Sequence, residues 1–150
     1  MSSIPMSTPR QVVERLLRAA ASPHPGDMAD CYADRVVIEM PFSAGLYPSR
    51  IETTRDDLRA RFEAGAAVRR YERLANVAIH ETADPEVIIA EYEMHGRMVA
   101  DGQPFAMTFV MVITVRDGQI VHSRDYSDPV AGARITGRVP DLVAALSGAP

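Results

Sequence analysis

The fold turns on one stretch: Phe105-Ala-Met-Thr-Phe-Val-Met-Val-Ile-Thr-Val115, then Arg116-Asp117-Gly118, then Gln119-Ile-Val-His-Ser-Arg-Asp-Tyr126. An Asp-Gly pair between two runs rich in β-branched and aromatic residues signals a hairpin, because both turn positions favour positive φ. Along the first run the side chains alternate between two faces. Phe105, Met107, Phe109, Met111 and Ile113 share one face; Ala106, Thr108, Val110, Val112 and Thr114 share the other. Both sets are largely apolar, so both faces are expected to be covered. Helices can cover one. For the other, the expected cover is a second copy of the chain, giving a homodimer sheet to sheet. The alternative cover is the C-terminal segment Val139 to Leu146.

Reading outward, Val87 to Met98 and Asn76 to Thr82 are two further strands, bounded by Asp101-Gly102 and Ala83-Asp84-Pro85. Short turns join antiparallel neighbours, since a parallel pair needs a long crossover. The first half is helical. Thr8, Pro9 and Gln11 form a capping-box start, and Val12, Val13, Leu16, Leu17 and Ala20 mark an apolar face at helical spacing. A short helix follows from about Asp27 to Ala33, then a strand Val36 to Met40, a polar loop with Gly45, Pro48 and Ser49, and a helix from Thr54 to about Tyr71 carrying Leu58, Phe62 and Ala66. Helices first and a meander afterwards make one α+β domain over residues 1–150: helices packed on a curved antiparallel sheet that holds an apolar pocket.

Composition narrows the function. Hydrophobic residues make up 47% of the 150, which suits a packed core, and the net charge of −4 argues against a nucleic-acid partner. No apolar run reaches the length of a membrane span, and no signal peptide is read at the start. Cys31 is the single cysteine, so no internal disulfide forms and a reducing cytoplasm is the expected location. Neither CxxC, HExxH nor a Gly-rich phosphate loop occurs, so no metal and no cofactor is expected.

The order helix, short helix with Cys31-Tyr32-Ala33-Asp34, strand, Met40-Pro41, helix, then a meander ending on Arg124-Asp125-Tyr126-Ser127-Asp128-Pro129 resembles the SnoaL-like proteins of the nuclear-transport-factor-2-like superfamily with the ketosteroid isomerase fold. Asp84-Pro85 through Glu91, Gly96 and Arg97 also resembles the phenazine-biosynthesis A/B proteins. The resemblance implies a cone: a strongly curved sheet wrapped round helices, a deep apolar pocket and a homodimer. It implies isomerases, cyclases, epoxide hydrolases or non-catalytic binders, because a fold hosts many chemistries.

Carried over residue by residue, the resemblance is selective. The positions matching the ketosteroid isomerase base and oxyanion hole are Met40, Leu16 and Val110, all apolar, which argues against steroid isomerisation. The arginine and paired aspartate of limonene-type epoxide hydrolases fall near Tyr92 and Met94, leaving that arrangement incomplete. The late-strand acid shared by several branches matches Asp125. Period 2 sets Val121, Ser123 and Asp125 on one face of the last strand, opposite His122, Arg124 and Tyr126. Desolvation in an apolar pocket raises a carboxyl pKa and suits it to general acid–base work near neutrality. Asp125 is therefore the catalytic candidate; its competing role is a structural acid near a strand end. Leu16, Tyr32, Met40, Phe62, Tyr92, Met94, Val110 and Ser123 are the candidates for contacting a small apolar organic molecule, although such residues on strands are often plain core.

Other polar groups read as bystanders. Glu39 turns away from Ile38 and Met40 toward the surface, and Glu91, Glu93 and His95 form a solvated or dimer-facing row. Cys31 is expected to be buried and inert, and His24 and His80 to lie on the surface without partners.

Overall fold

The computed structural model of the chain describes residues 5–148. Six strands form one sheet: β1 (Tyr32–Glu39), β2 (Arg50–Thr54), β3 (Arg69–Glu81), β4 (Val87–Met98), β5 (Pro104–Arg116) and β6 (Gln119–Ser127). Their spatial order is β2-β1-β6-β5-β4-β3. The second half is the expected antiparallel meander. At the β5–β6 turn Asp117 has φ 53° and Gly118 φ 75°, the positive pair that an Asp-Gly hairpin requires. One pair departs from the antiparallel expectation: β1 runs parallel to β6. Its connection is most of the chain, so no local turn signal announces it.

The helices follow their caps. In α1 (Pro9–Ala20) the Thr8 side chain accepts from the Gln11 amide at 3.2 Å, and the Thr8 amide donates back to Gln11 Oε1 at 2.9 Å. The helix buries Val12, Val13, Leu16, Leu17 and Ala20, the face its spacing predicts. Each Val or Leu side chain so removed from water contributes about 1.5–3 kcal/mol. A 3₁₀ helix (Pro25–Cys31) follows and hands over to β1 at Tyr32, earlier than the expected helix end and strand start. α2 (Arg55–Ala66) opens on Thr54, which accepts from the Asp57 amide at 3.2 Å.

Two more helices, α3 (Pro129–Thr136) and α4 (Val139–Leu146), close the chain. Asp128 starts α3 by accepting from the amides of Val130 and Ala131 at 2.8 and 3.3 Å. Gly137 ends it in the left-handed region at φ 70°.

Several boundaries differ from the sequence expectation. α2 stops at Ala66 instead of near Tyr71, because Arg69, Arg70 and Tyr71 join β3 and pair with Met98, Arg97 and Gly96. Within the expected polar loop, Arg50–Thr54 pairs with β1 as an edge strand. The C-terminal segment also lies elsewhere than its alternative role suggests: α4 rests on α3, and its Ala145 stands beside Gly45. The outer row of β5 thus keeps Ala106 and Thr108 exposed and Val110, Val112 and Thr114 half-buried.

Irregularities in the ladders curve the sheet around α1. β3 breaks register against β4 twice, between Tyr71 and Arg73 and between Ala75 and Ala78, with Asn76 at φ 52°. Opposite the first break, Gly96 lies so close to β3 that an added Cβ would stand 2.2 Å from the Arg70 carbonyl oxygen. Only glycine fits there. On β6 the break falls between the pairs Val115–Ile120 and Thr114–His122, which leaves Val121 as an extra residue. Ile120 and Ser123 are consequently both fully buried, three positions apart. The expected strict alternation fails at Val121, which is half-buried and out of step with Ser123 and Asp125.

Candidate functional site

The concave side of the sheet, α1, α2 and α3 enclose a cavity of about 930 Å³. Its interior is set by period 2. Tyr92 and Met94 of β4, Met107, Phe109 and Met111 of β5, and Asp125 of β6 all point inward from neighbouring strands. Leu16 from α1, Tyr32 from the start of β1, Met40 after its end and Phe62 from α2 complete the apolar wall. Aromatic rings brace one another here: Tyr92 stacks on Phe109 with centroids 5.3 Å apart, and Tyr32 meets Phe62 at 6.1 Å.

Leu16, Tyr32, Met40, Phe62, Tyr92, Met94 and Asp125 thus converge on one space from six separate elements or connections. Val110 does not join them. Its neighbours Phe109 and Met111 face the cavity, so alternation turns Val110 to the outer side of the sheet. Ser123 lies on the inner face but beneath the wall, fully buried opposite Ile113 and beside Ile38. Met107, Phe109, Met111 and the α3 residues are among the lining that the candidate set omits, as are Leu17, Met28, Tyr71 and the arginines Arg61, Arg69 and Arg70. The face shared by Phe105, Met107, Phe109, Met111 and Ile113 was the available signal for the strand residues; α3 had only its Asp128-Pro129 start.

Asp125 is the one carboxyl in the apolar part of the wall. Its Oδ1 is sealed from solvent and has no hydrogen-bond partner among the described residues, and Ser123 Oγ is likewise unpartnered. Burial pushes the Asp125 pKa up to about 6. Ser123 pulls it the other way from along the same face, although no hydrogen bond closes between the two side chains, and so does the charge of His122.

Tyr32, Tyr47, Tyr71 and Tyr92 line the cavity, and Tyr32 and Tyr92 are the buried pair among them. Burial, and then the Asp125 charge, raise the pKa of both Tyr32 and Tyr92, so each keeps its proton near neutrality. The Tyr92 hydroxyl is committed, donating to Met111 Sδ at 3.3 Å. Tyr32 makes no side-chain hydrogen bond among the described residues, so its O–H is available to a guest. A carboxyl with a raised pKa and a phenol hydroxyl facing one aromatic-walled space are groups of the kind that can accept, hold and return a proton.

The remaining polar candidates lie outside this space. Glu39 is on the outer face, where its Oε2 sits 2.7 Å from His122 Nε2. His80 is exposed as expected but has a partner, Glu91 Oε2 at 2.7 Å; the cross-strand register supplies this pair, which the sequence alone could not. Glu93 pairs with His95 at 2.7 Å and accepts from Asn76 at 2.8 Å. Cys31 is fully buried, with Arg15 Nε 3.4 Å from its sulfur. Among the described residues no group of three or more His, Cys, Asp or Glu side chains is arranged to hold a metal ion.

Helices packed in a curved mixed sheet around a largely apolar cavity make a fold shared with nuclear-transport-factor-2-like and ketosteroid isomerase-like proteins. The SnoaL-like domain family matches residues 13–123, and the chain belongs to that family. Two curated relatives share parts of it. The PhzA/B-like protein PA3332 of Pseudomonas aeruginosa is 32% identical over 77 residues, 51% of this chain and 55% of that protein. YesE of Bacillus subtilis is 36% identical over 52 residues, 35% of each chain. The chain thus spans about a third to about half the length of these relatives.

Among solved structures, a provisionally named isomerase from Bacillus subtilis superposes with a TM-score of 0.77 at 21% identity, over 86% of this chain and 92% of its own. A provisionally named polyketide cyclase from Pseudomonas putida gives 0.71 at 17%, over 85% and 97%. A phenazine biosynthesis-related protein from Pseudomonas aeruginosa gives 0.70 at 16%, over 85% and 84%. At these identities the likeness shows the fold alone, the one also used by isomerase- and cyclase-type proteins.

Proposed function

We propose that this chain is a cofactor-independent enzyme of isomerase or cyclase type, in which Asp125 moves a proton on a small, mostly apolar substrate held in the cavity. One observation carries the reading: in the apolar part of the cavity wall stands a carboxyl that has no ion pair among the described residues, with one oxygen sealed and unpartnered. A merely structural acid near a strand end would be tied to an arginine or to backbone amides, and Asp125 has neither. The ionised carboxylate takes a proton from carbon next to a substrate carbonyl, and the electron pair moves onto the carbonyl oxygen. The Tyr32 hydroxyl donates a hydrogen bond to that oxygen. The enolate electron pair then either takes the Asp125 proton at a second carbon, or forms a carbon–carbon bond to a second substrate carbonyl, whose π pair moves onto its oxygen to give an alkoxide that takes the Asp125 proton. The proton count closes within substrate and protein.

Epoxide hydrolysis is less well supported, because Tyr92 and Met94 stand where its arginine and second acid would be. The competing reading is a binder with the same cavity and no chemistry; the Tyr92–Met111 bond favours it, since the Tyr92 phenol is already occupied. Turnover of β-ketoester and polyketide-like panels by wild type and Asp125→Asn decides between them. Loss of turnover with retained ligand affinity supports the enzyme; bound ligands without turnover by wild type support the binder.

We also propose that a second copy covers the outer row around Val110, as the C-terminal helices lie elsewhere. Light scattering of wild type and Val110→Asp tests this: a dimer converted to monomer is expected. A reducing cytoplasm fits the single buried thiol. No described helix is long and apolar enough to cross a membrane.

A further inference from the structure

The cavity is polarised along its length. All 16 basic side chains of the protein are arginines, set against 20 acids. Arg61 from α2 and Arg69 and Arg70 from the start of β3 line the cavity. Arg61 and Arg70 are exposed, which places this charge at the solvent end. Arg69 is half-buried; its Nε donates to Tyr71 Oη at 3.1 Å and its guanidinium lies 5.9 Å from the Tyr71 ring centre. None of the three has a carboxylate within salt-bridge distance among the described residues.

The acids that line the same cavity are engaged elsewhere. Glu72 pairs with Arg97 at 3.2 Å, and Asp128 accepts the first amides of α3. The fourth lining arginine, Arg138, is bound to Asp141 at 3.1 Å. Three guanidinium groups with open donors therefore flank an apolar hole whose inner acid is Asp125.

We infer that the natural ligand is an amphipathic organic anion: an apolar body that enters the cavity, and a carboxylate that stays at the mouth on Arg61, Arg69 and Arg70. This deepens the reading of the cavity as a small-molecule site and rests on it. A guanidinium presents a planar fork that matches a carboxylate in two parallel hydrogen bonds. Low-dielectric walls focus the field of the cluster into the opening. The ionised Asp125 repels the same carboxylate. The two ends together therefore fix which end of the ligand goes in first, and so which carbon meets Asp125.

The test compares 1-pyrenebutyrate with 1-pyrenebutanol, which share an apolar body and differ in the charged end, by fluorescence titration at pH 8 in low salt. Wild type is expected to bind the acid at least about tenfold more tightly than the alcohol. That preference is expected to shrink in high salt. Arg61→Gln combined with Arg70→Gln, both at exposed positions, is expected to bring the acid to the level of the alcohol while leaving the alcohol unchanged. Arg18→Gln with Arg35→Gln removes the same charge away from the cavity and should keep the preference. Equal binding of acid and alcohol by wild type, or a preference that survives the Arg61/Arg70 double variant, overturns the anion site and leaves the apolar cavity standing. Binding of neither compound overturns both.

Discussion

The Tyr92 hydroxyl donates its proton to the thioether of Met111, 3.3 Å away, and Met111 stands directly across the β5–β6 ladder from Asp125. The two buried phenols of the cavity, Tyr92 and Tyr32, therefore differ in role. Tyr92 is held in the wall, stacked on Phe109 and bonded to sulfur, whereas Tyr32 keeps an unengaged hydroxyl. A thioether is a weak acceptor, so Tyr92→Phe should cost less than about 1 kcal/mol in urea unfolding. A loss well above that would mean that the bond anchors the wall.

Asp125 makes stability depend on pH in a direction opposite to that of a salt-bridged acid. Its folded pKa of about 6 lies above the unfolded value near 4. The folded state therefore binds more protons between those limits, and stability is full below about pH 4 and falls as pH rises to about 6. The penalty above that window is on the order of 2–3 kcal/mol. Asp125→Asn should be more stable than wild type at pH 8 by up to that amount, with the difference vanishing near pH 4. Melts across pH 4–8 check this. An Asn variant less stable at pH 8 would make Asp125 a structural anchor.

Gly96→Ala should be among the most damaging conservative changes. The added methyl would meet the Arg70 carbonyl oxygen at 2.2 Å, a backbone atom that cannot swing aside, with the Phe105 ring a further contact at 3.0 Å. A loss above about 2 kcal/mol is expected in urea unfolding. A variant within about 0.5 kcal/mol of wild type would mean that β3 gives way at its break near Tyr71.

Neighbouring residues on β5 should respond in opposite ways. Met111→Ala enlarges the cavity and should cost about 2–4 kcal/mol while changing the affinity for apolar ligands. Val110→Ala faces the other way and should leave ligand affinity unchanged, with its effect confined to self-association. Titration of 1-pyrenebutanol into both variants, beside light scattering, separates the two faces.

The meander was legible because each of its turns carries a local chemical mark, and the face of α1 because five apolar residues recur at helical spacing. Six of the eight residues that the structure brings together from the expected pocket set, or places just beneath its wall, lie where alternation or helical spacing puts them: Leu16, Phe62, Tyr92, Met94, Ser123 and Asp125. Tyr32 lines the cavity from the start of β1 and not from the expected short helix. The eighth, Met40, follows β1 and lines the cavity as expected. Val110 failed because a positional match outweighed the alternation that already set it against Phe109 and Met111. The parallel β1–β6 pair and the placement of α3 were hidden for another reason. Both depend on contacts between distant parts of the chain, and single-chain periodicity carries no record of which distant element lies beside which. The arginine cluster was hidden in the same way, since Arg61 and Arg69 reach the mouth from a helix and a strand.

The additional residue on β6 has a consequence for how such a protein changes over time. Under unbroken alternation the five-residue step from Ile120 to Asp125 is odd, so anchoring the hairpin with one would expel the other from the interior. Val121 lifts that constraint by shifting the phase of the strand between them. The hairpin end can then be rebuilt, lengthened or repacked as a piece of scaffold while the acid keeps its aim. The site and its support become separable parts, free to vary at different rates.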